Sequence, residues 1–67
     1  MPRPLSSVEV ARILRANGFV CVLKTKAHRK FRDSKRRVVI VPVADELCPM
    51  ALEPIIKASG LDRTLFL

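Results

Sequence analysis

The sequence predicts an α+β domain with the element order α-β-β-β-α. Three observations predict it. A capped amphipathic segment opens the chain, three short β-branched or aromatic runs separated by turn residues fill its middle, and a second amphipathic segment ends in glycine. Each helix would carry one apolar stripe. The economical arrangement lays both stripes on one face of a three-stranded antiparallel meander.

The first helix has a start and a stop. Ser6 is a suitable N-cap, and Glu9 stands three residues later, the spacing of a capping box. Val10, Ile13 and Leu14 fall on one stripe, while Arg12 and Arg15 lie off it, towards the end where the helix dipole favours cations. Asn17-Gly18 offers a left-handed stop. From Phe19 to Leu23 the chain is β-branched and aromatic enough for a strand. Strict alternation puts Phe19, Cys21 and Leu23 on one side and Val20, Val22 and Lys24 on the other. Both sides are apolar, so this strand is expected to be central or covered on both faces.

Thr25 to Ala27 reads as a turn and Arg29 to Arg32 as the second strand, with Ala27, Arg29 and Phe31 on one side and His28, Lys30 and Arg32 on the other. Asp33-Ser34-Lys35 is a second turn. The third strand runs from Arg37 to Val41 and stops at Pro42, which cannot donate a ladder hydrogen bond. After a connection from Val43 to Pro49, a helix from about Met50 to Ser59 carries Leu52, Ile55, Ile56 and Ser59 on one stripe and ends at Gly60. Pro54 is compatible with a start near Met50 or Ala51, whereas a much earlier start would force a kink. The tail ends Leu65-Phe66-Leu67, too apolar for a solvated end, so it should pack on the domain or meet another chain.

Sixty-seven residues make a single domain, 1–67, with its core at about 6–61 and an apolar tail at 62–67. A hydrophobic fraction of 49% excludes disorder and exceeds what so small a core can hold, so exposed apolar area is expected. Thirteen Lys and Arg against six Asp and Glu give a net charge of +7, which attracts polyanions. Cys21 sits in an apolar run and reads as a small core residue, whereas Cys48 lies in a loop. Neither has the spacing of a zinc site, and no metal or cofactor is called for. The four residues before Leu5 are too short for a signal peptide, and no apolar run approaches a membrane span, so a cytoplasmic protein is expected.

The charge is concentrated. Lys24, Lys26, Arg29, Lys30, Arg32, Lys35, Arg36 and Arg37 fall within fourteen positions that contain one acid, Asp33. Such density repels itself, and a polyanion would relieve it. These eight residues are the candidate RNA-binding set. The bland alternative is a solvated hairpin that guards a sheet edge with charge. His28, the only histidine, sits among them. Cleavage of RNA by its own 2′-hydroxyl needs a proton carrier and charge stabilisation at phosphorus. A histidine can carry the proton, and neighbouring cations can hold the phosphate. Lys30 and Arg32, on the same strand face, are the candidate phosphate holders. The acids form no cluster for a metal-dependent mechanism: Asp45 and Glu46 are adjacent on a loop, and Asp33 is alone. A Ser or Cys nucleophile would need a second base.

These residues carry a resemblance. Asn17-Gly18-Phe19-Val20 after a capped helix, His28-Arg29-Lys30-Phe31, a basic turn, Val39-Ile40-Val41-Pro42, Asp45-Glu46-Leu47, and Ile55-Ile56-Lys57 to Ser59-Gly60-Leu61 together resemble the HicA-type (YcfA-like) family of mRNA interferase toxins. The similarity runs from about Ser6 to Leu61. It implies a fold like the double-stranded RNA-binding domain, metal-independent cleavage of mRNA by a histidine matched here by His28, and neutralisation by a HicB-type antitoxin. The chain departs from the pattern twice. Lys26-Ala27 stands where the family usually has a glycine and then a hydroxyl residue, and Pro49-Met50 stands near a usual glycine. A divergent endoribonuclease and a non-catalytic RNA-binding module of the same fold therefore both stay open.

If the helices cover the face bearing Phe31, the opposite face carries His28, Lys30 and Arg32 together with either Val38 and Ile40 or Val39 and Val41. Apolar residues beside a basic site suit an acidic antitoxin segment, or a second copy of the chain in a homodimer. A DNA-binding accessory role ranks below both RNA readings, since no recognition-helix pattern occurs. With 4% aromatic residues and no Tyr or Trp, base stacking gives way to backbone contacts.

Overall fold

The computed structural model describes residues 4–66. Two helices and a three-stranded antiparallel sheet follow in the order expected: α1 (Ser7–Ala16), β1 (Val20–Lys24), β2 (His28–Arg32), β3 (Val38–Pro42) and α2 (Pro49–Ser59). A 3-10 turn, Arg63–Phe66, closes the described chain. Residues 1–3, which include most of the short leading segment, and Leu67 of the tail lie outside the described residues.

The start of α1 is the capping box that Ser6 and Glu9 foretell. The Glu9 N–H donates to Ser6 Oγ at 3.1 Å, and the Glu9 carboxylate reaches back to the Ser6 N–H. Its end is a full Schellman closure. The Phe19 N–H donates to the Leu14 carbonyl at 3.0 Å and the Gly18 N–H to the Arg15 carbonyl at 3.4 Å, with Gly18 at φ 91°. Ahead of the helix, Leu5 pairs with Leu47, and Ser7 exchanges hydrogen bonds with Ala44 through both its N–H and its hydroxyl. Both partners lie in the connection between β3 and α2, so that connection is fastened to the root of α1.

The sheet order is β1-β2-β3. This corrects the expectation of a central first strand: β1 is an edge. Its surplus apolar residues are simply exposed, Val20 at 61% and Leu23 at 57%. A bulge at Val22 accounts for a second departure. Cys21 pairs with Phe31, but the next pairs are Leu23 with Lys30 and Lys24 with Arg29, so Val22 has no partner. The extra residue reverses the alternation. Leu23 leaves the side of Phe19 and Cys21, and Lys24 leaves the side of Val20.

Phe31, Val39 and Val41 point from the sheet into the core, where Val10 and Leu14 of α1 and Leu52, Ile55 and Ile56 of α2 meet them. Both helices thus cover one face, as their single stripes require. Among the described residues no element covers the other face. Phe66 returns to this core at 1% exposure while Leu65 stays outside, which gives the apolar tail its place on the domain. Cys21 packs half-buried against the core; Cys48 is exposed and is the N-cap residue of α2, and both thiols are free. The helix begins at Pro49, one residue earlier than expected, with its proline in the favourable first position. Pro54 therefore lies past the first turn and withholds one helical hydrogen bond from the Met50 carbonyl.

Gly60 is the left-handed stop of α2, at φ 68°. It is also a close approach. A Cβ built there would lie 2.6 Å from Nη1 of Arg37, whose guanidinium donates to the Ser59 carbonyl at 3.4 Å. A cation at the carbonyl end of a helix is well placed for the dipole.

Candidate functional site

The hairpin β1–β2 is closed by its own side chains. The Thr25 N–H donates to the His28 carbonyl at 2.9 Å, the Thr25 hydroxyl to the same carbonyl at 3.1 Å, and the His28 N–H to Thr25 Oγ1 at 3.0 Å. From β2, the Arg29 guanidinium folds back over the turn and donates to the carbonyls of Thr25 and His28. Among the described residues the only positive φ angles belong to Gly18, Arg36 and Gly60. The turn at Lys26-Ala27 therefore adopts a backbone that needs no glycine. Thr25, two residues before Ala27, contributes a hydroxyl to this turn.

His28 is the first residue of β2 and its imidazole is exposed. It pairs across the sheet with Pro42, and the Val43 N–H donates to the Ala27 carbonyl at 2.8 Å, which pins β3 to the residue before the histidine. Beside it on the uncovered face come Lys30, opposite Ile40 and Leu23, and Arg32, opposite Val38 and Val20. Leu23, Thr25, His28, Lys30 and Ile40 line one shallow depression. Of the two parities left open for β3, the structure selects Val38 and Ile40. Among the described residues no acid lines the depression. All three phenylalanines, Phe19, Phe31 and Phe66, are buried, so no aromatic ring is offered for stacking.

The eight cations do not form one surface. Lys30 and Arg32 share the open face with His28, and Lys26 stands at the tip of the β1–β2 turn. Lys24 and Arg29 are carried to the opposite, helix-covered side by the bulge and by strand alternation. Lys35 and Arg36 occupy the β2–β3 turn. There Asp33 Oδ1 accepts the N–H groups of Lys35 at 3.0 Å and Arg37 at 2.7 Å, and Arg36 takes a left-handed φ of 66°. Arg37 is engaged at the end of α2. Two residues contribute that the sequence reading overlooked. Arg15 lies over the Phe31 ring, 5.8 Å from its centroid, and Thr25 organises the turn before the histidine. A hydroxyl residue at a turn was the available signal for Thr25; Arg15 had none beyond its place off the apolar stripe.

Among the described residues no group of three or more His, Cys, Asp or Glu could hold a metal ion, and no helix is long and apolar enough to cross a membrane. The groups whose acidity is shifted lie away from His28. The Arg63 guanidinium forms a fork with the Glu53 carboxylate, which holds Glu53 below and Arg63 above its ordinary value. Asp62 is lowered by the N–H and then the hydroxyl of Thr64. The Arg63–Glu53 fork ties the 3-10 turn to α2, while the Asp62–Thr64 bonds are internal to the turn.

A comparison with curated proteins finds no match. A family model, described as HicA toxin of bacterial toxin-antitoxin, matches residues 7–61. The match spans α1 to the residue after Gly60 and includes every element described above except the 3-10 turn.

Proposed function

The chain belongs to the HicA toxin family of bacterial toxin-antitoxin systems, and from that premise we propose that it is an endoribonuclease that cleaves mRNA through His28 without a metal. The observation that carries the reading is the exposed His28 at the head of β2, beside Lys30 and Arg32 on a face that has no acid among the described residues. In this mechanism the 2′-oxygen bonds to the adjacent phosphorus as His28 takes its proton. The bond from phosphorus to the 5′-oxygen breaks, leaving a 2′,3′-cyclic phosphate, and the departing oxygen takes its proton from water, since the chain has no second histidine to act as the acid. Lys30 and Arg32 hold the non-bridging oxygens as charge develops on them. The Thr25 and Arg29 contacts fix the backbone of His28 and so supply the positioning that Lys26-Ala27 cannot.

The test is cleavage of a long single-stranded RNA by the purified protein in excess EDTA, beside His28→Ala. Loss of general acid–base catalysis should slow cleavage by about 100-fold or more with the fold intact. RNA bound but cut by neither protein would favour the second reading, a non-catalytic RNA-binding module, for which the Lys26-Ala27 departure speaks.

The same face suits a protein. Val20, Leu23, Val38 and Ile40 are exposed aliphatics around three basic or titratable side chains. We assign this face to a HicB-type antitoxin, whose carboxylates would meet Lys30 and Arg32 while its apolar groups cover the aliphatics. Light scattering of the chain alone and with that partner tests it. A stable dimer of the chain alone, undisturbed by partner, would give the face to a homodimer.

A further inference from the structure

Lys24 and Arg29 stand directly opposite each other on the helix-covered side of the hairpin, and like charges in a cross-strand pair repel. Arg15 of α1 comes in from above, against Phe31. These three cations, with Phe31 and the α1 residues Ser7 and Ala11, line an open cleft of about 240 Å³ between α1 and the hairpin. Among the described residues no acid lines it. The Arg29 guanidinium donates to neutral carbonyls, which satisfy its N–H groups without cancelling its charge. The arrangement depends on the Val22 bulge. Without that extra residue Lys24 would share the face of Val20, and the cleft would lose one of its three cations. The volume lies below that of pockets which enclose a drug-sized ligand, and suits a phosphate group better than a whole nucleoside.

We propose that this cleft is a second phosphate subsite, held by Arg15, Lys24 and Arg29, which takes the RNA backbone on the side of the hairpin opposite to His28. The proposal rests on the RNA reading above and deepens it. The substrate strand passes around the tip of the hairpin beneath Lys26, with the scissile phosphate on the open face and a neighbouring phosphate in the cleft. His28 and Arg29, consecutive in β2, each serve one side. The subsite adds affinity and register but no chemistry, since backbone contacts position a strand without reading its bases.

The experiment measures binding of a labelled single-stranded RNA of mixed sequence by His28→Ala protein at several salt concentrations. Into that background go Arg15→Gln, Lys24→Gln and, as a control on the far end of α2, Lys57→Gln. In parallel the same cleft variants are made with His28 intact and assayed for cleavage. Each cleft variant should bind RNA about fivefold to tenfold more weakly near 0.1 M salt. Each should also flatten the salt dependence by about 0.7 in logarithmic slope for every phosphate it no longer neutralises. In cleavage KM should rise and kcat stay unchanged, and Arg15→Lys and Lys24→Arg should restore most of the affinity. Cleft variants that bind like Lys57→Gln, in a protein that cleaves RNA normally, would overturn the subsite and leave the nuclease reading standing. A wild type that neither binds nor cleaves RNA would remove both. Weakened capture of a poly-glutamate peptide with unchanged RNA binding would also overturn it, since the cleft would then serve an acidic protein.

Discussion

The two faces of the sheet carry nearly the same aliphatic residues and put them to opposite uses. On the inner face Val39 and Val41 are fully buried with Phe31; on the outer face Val38 and Ile40, one residue away along the same strand, stand 40% and 53% exposed. What differs is only which parity of each strand the helices reach. A high apolar fraction here is therefore not a measure of core size. Part of it is surface, set out around His28, Lys30 and Arg32.

The largest effect that would test this contrast is on the inner face. Phe31→Ala removes the ring on which α1 and Arg15 rest, and should cost about 3–5 kcal/mol, enough to unfold most of so small a domain. Chemical denaturation followed by circular dichroism reads it. A smaller loss is expected at the β2–β3 turn. Asp33→Ala deletes a carboxylate that accepts two backbone N–H groups, and should cost about 1.5–3 kcal/mol. In the same turn Arg36→Gly should raise the melting temperature, because the left-handed φ of Arg36 costs an ordinary side chain about 1 kcal/mol and glycine far less. The outer face supplies the sharpest contrast. Ile40→Ser should change stability by no more than about 0.5 kcal/mol, yet weaken capture by the antitoxin. An Ile40→Ser protein that unfolds would mean the outer face belongs to the core after all.

The mildest expected effect depends on pH. The Arg63 fork depresses Glu53 below the ordinary glutamate value of 4.5, so the pair adds stability above that value and loses it as pH falls through the lower folded value. The melting temperature of wild type should therefore exceed that of Arg63→Gln near neutrality. The gap should close on acidification below about 4.5. A gap that persists once Glu53 is fully protonated would mean Arg63 acts by packing rather than by its charge.

Much of the fold was legible in the residues. Ser6 and Glu9 named the start of α1, Asn17-Gly18 its end and Gly60 the end of α2, because caps are local and obey short-range geometry. The parity of β2 was readable from Phe31 alone. What escaped was set by tertiary context. Nothing at Val22 marks a bulge, since neither glycine nor proline stands there, so the alternation of β1 was carried past the point where it reverses. Its edge position was hidden by its own composition. At the candidate site, the sequence put His28, Lys30 and Arg32 on one strand face, where the structure also has them. It also put Arg29 with Phe31 on the other side, but it could not place Lys24, whose side depends on that bulge, or Arg37, whose engagement depends on α2 folding back to the start of β3.

The open face also governs how the chain behaves in bulk. At a net charge of +7 two copies repel across a distance that shrinks from about 30 Å at 0.01 M salt to about 3 Å at 1 M. Concentrated salt therefore removes the repulsion while strengthening the attraction between aliphatic surfaces if the anion is a kosmotrope such as sulfate. Ammonium sulfate should drive the molecules together through Val20, Leu23, Val38 and Ile40. On the proposed RNA reading, freedom from RNA and freedom from self-association call for opposite ends of the salt scale, and a polar substitution at Ile40 should widen the range between them.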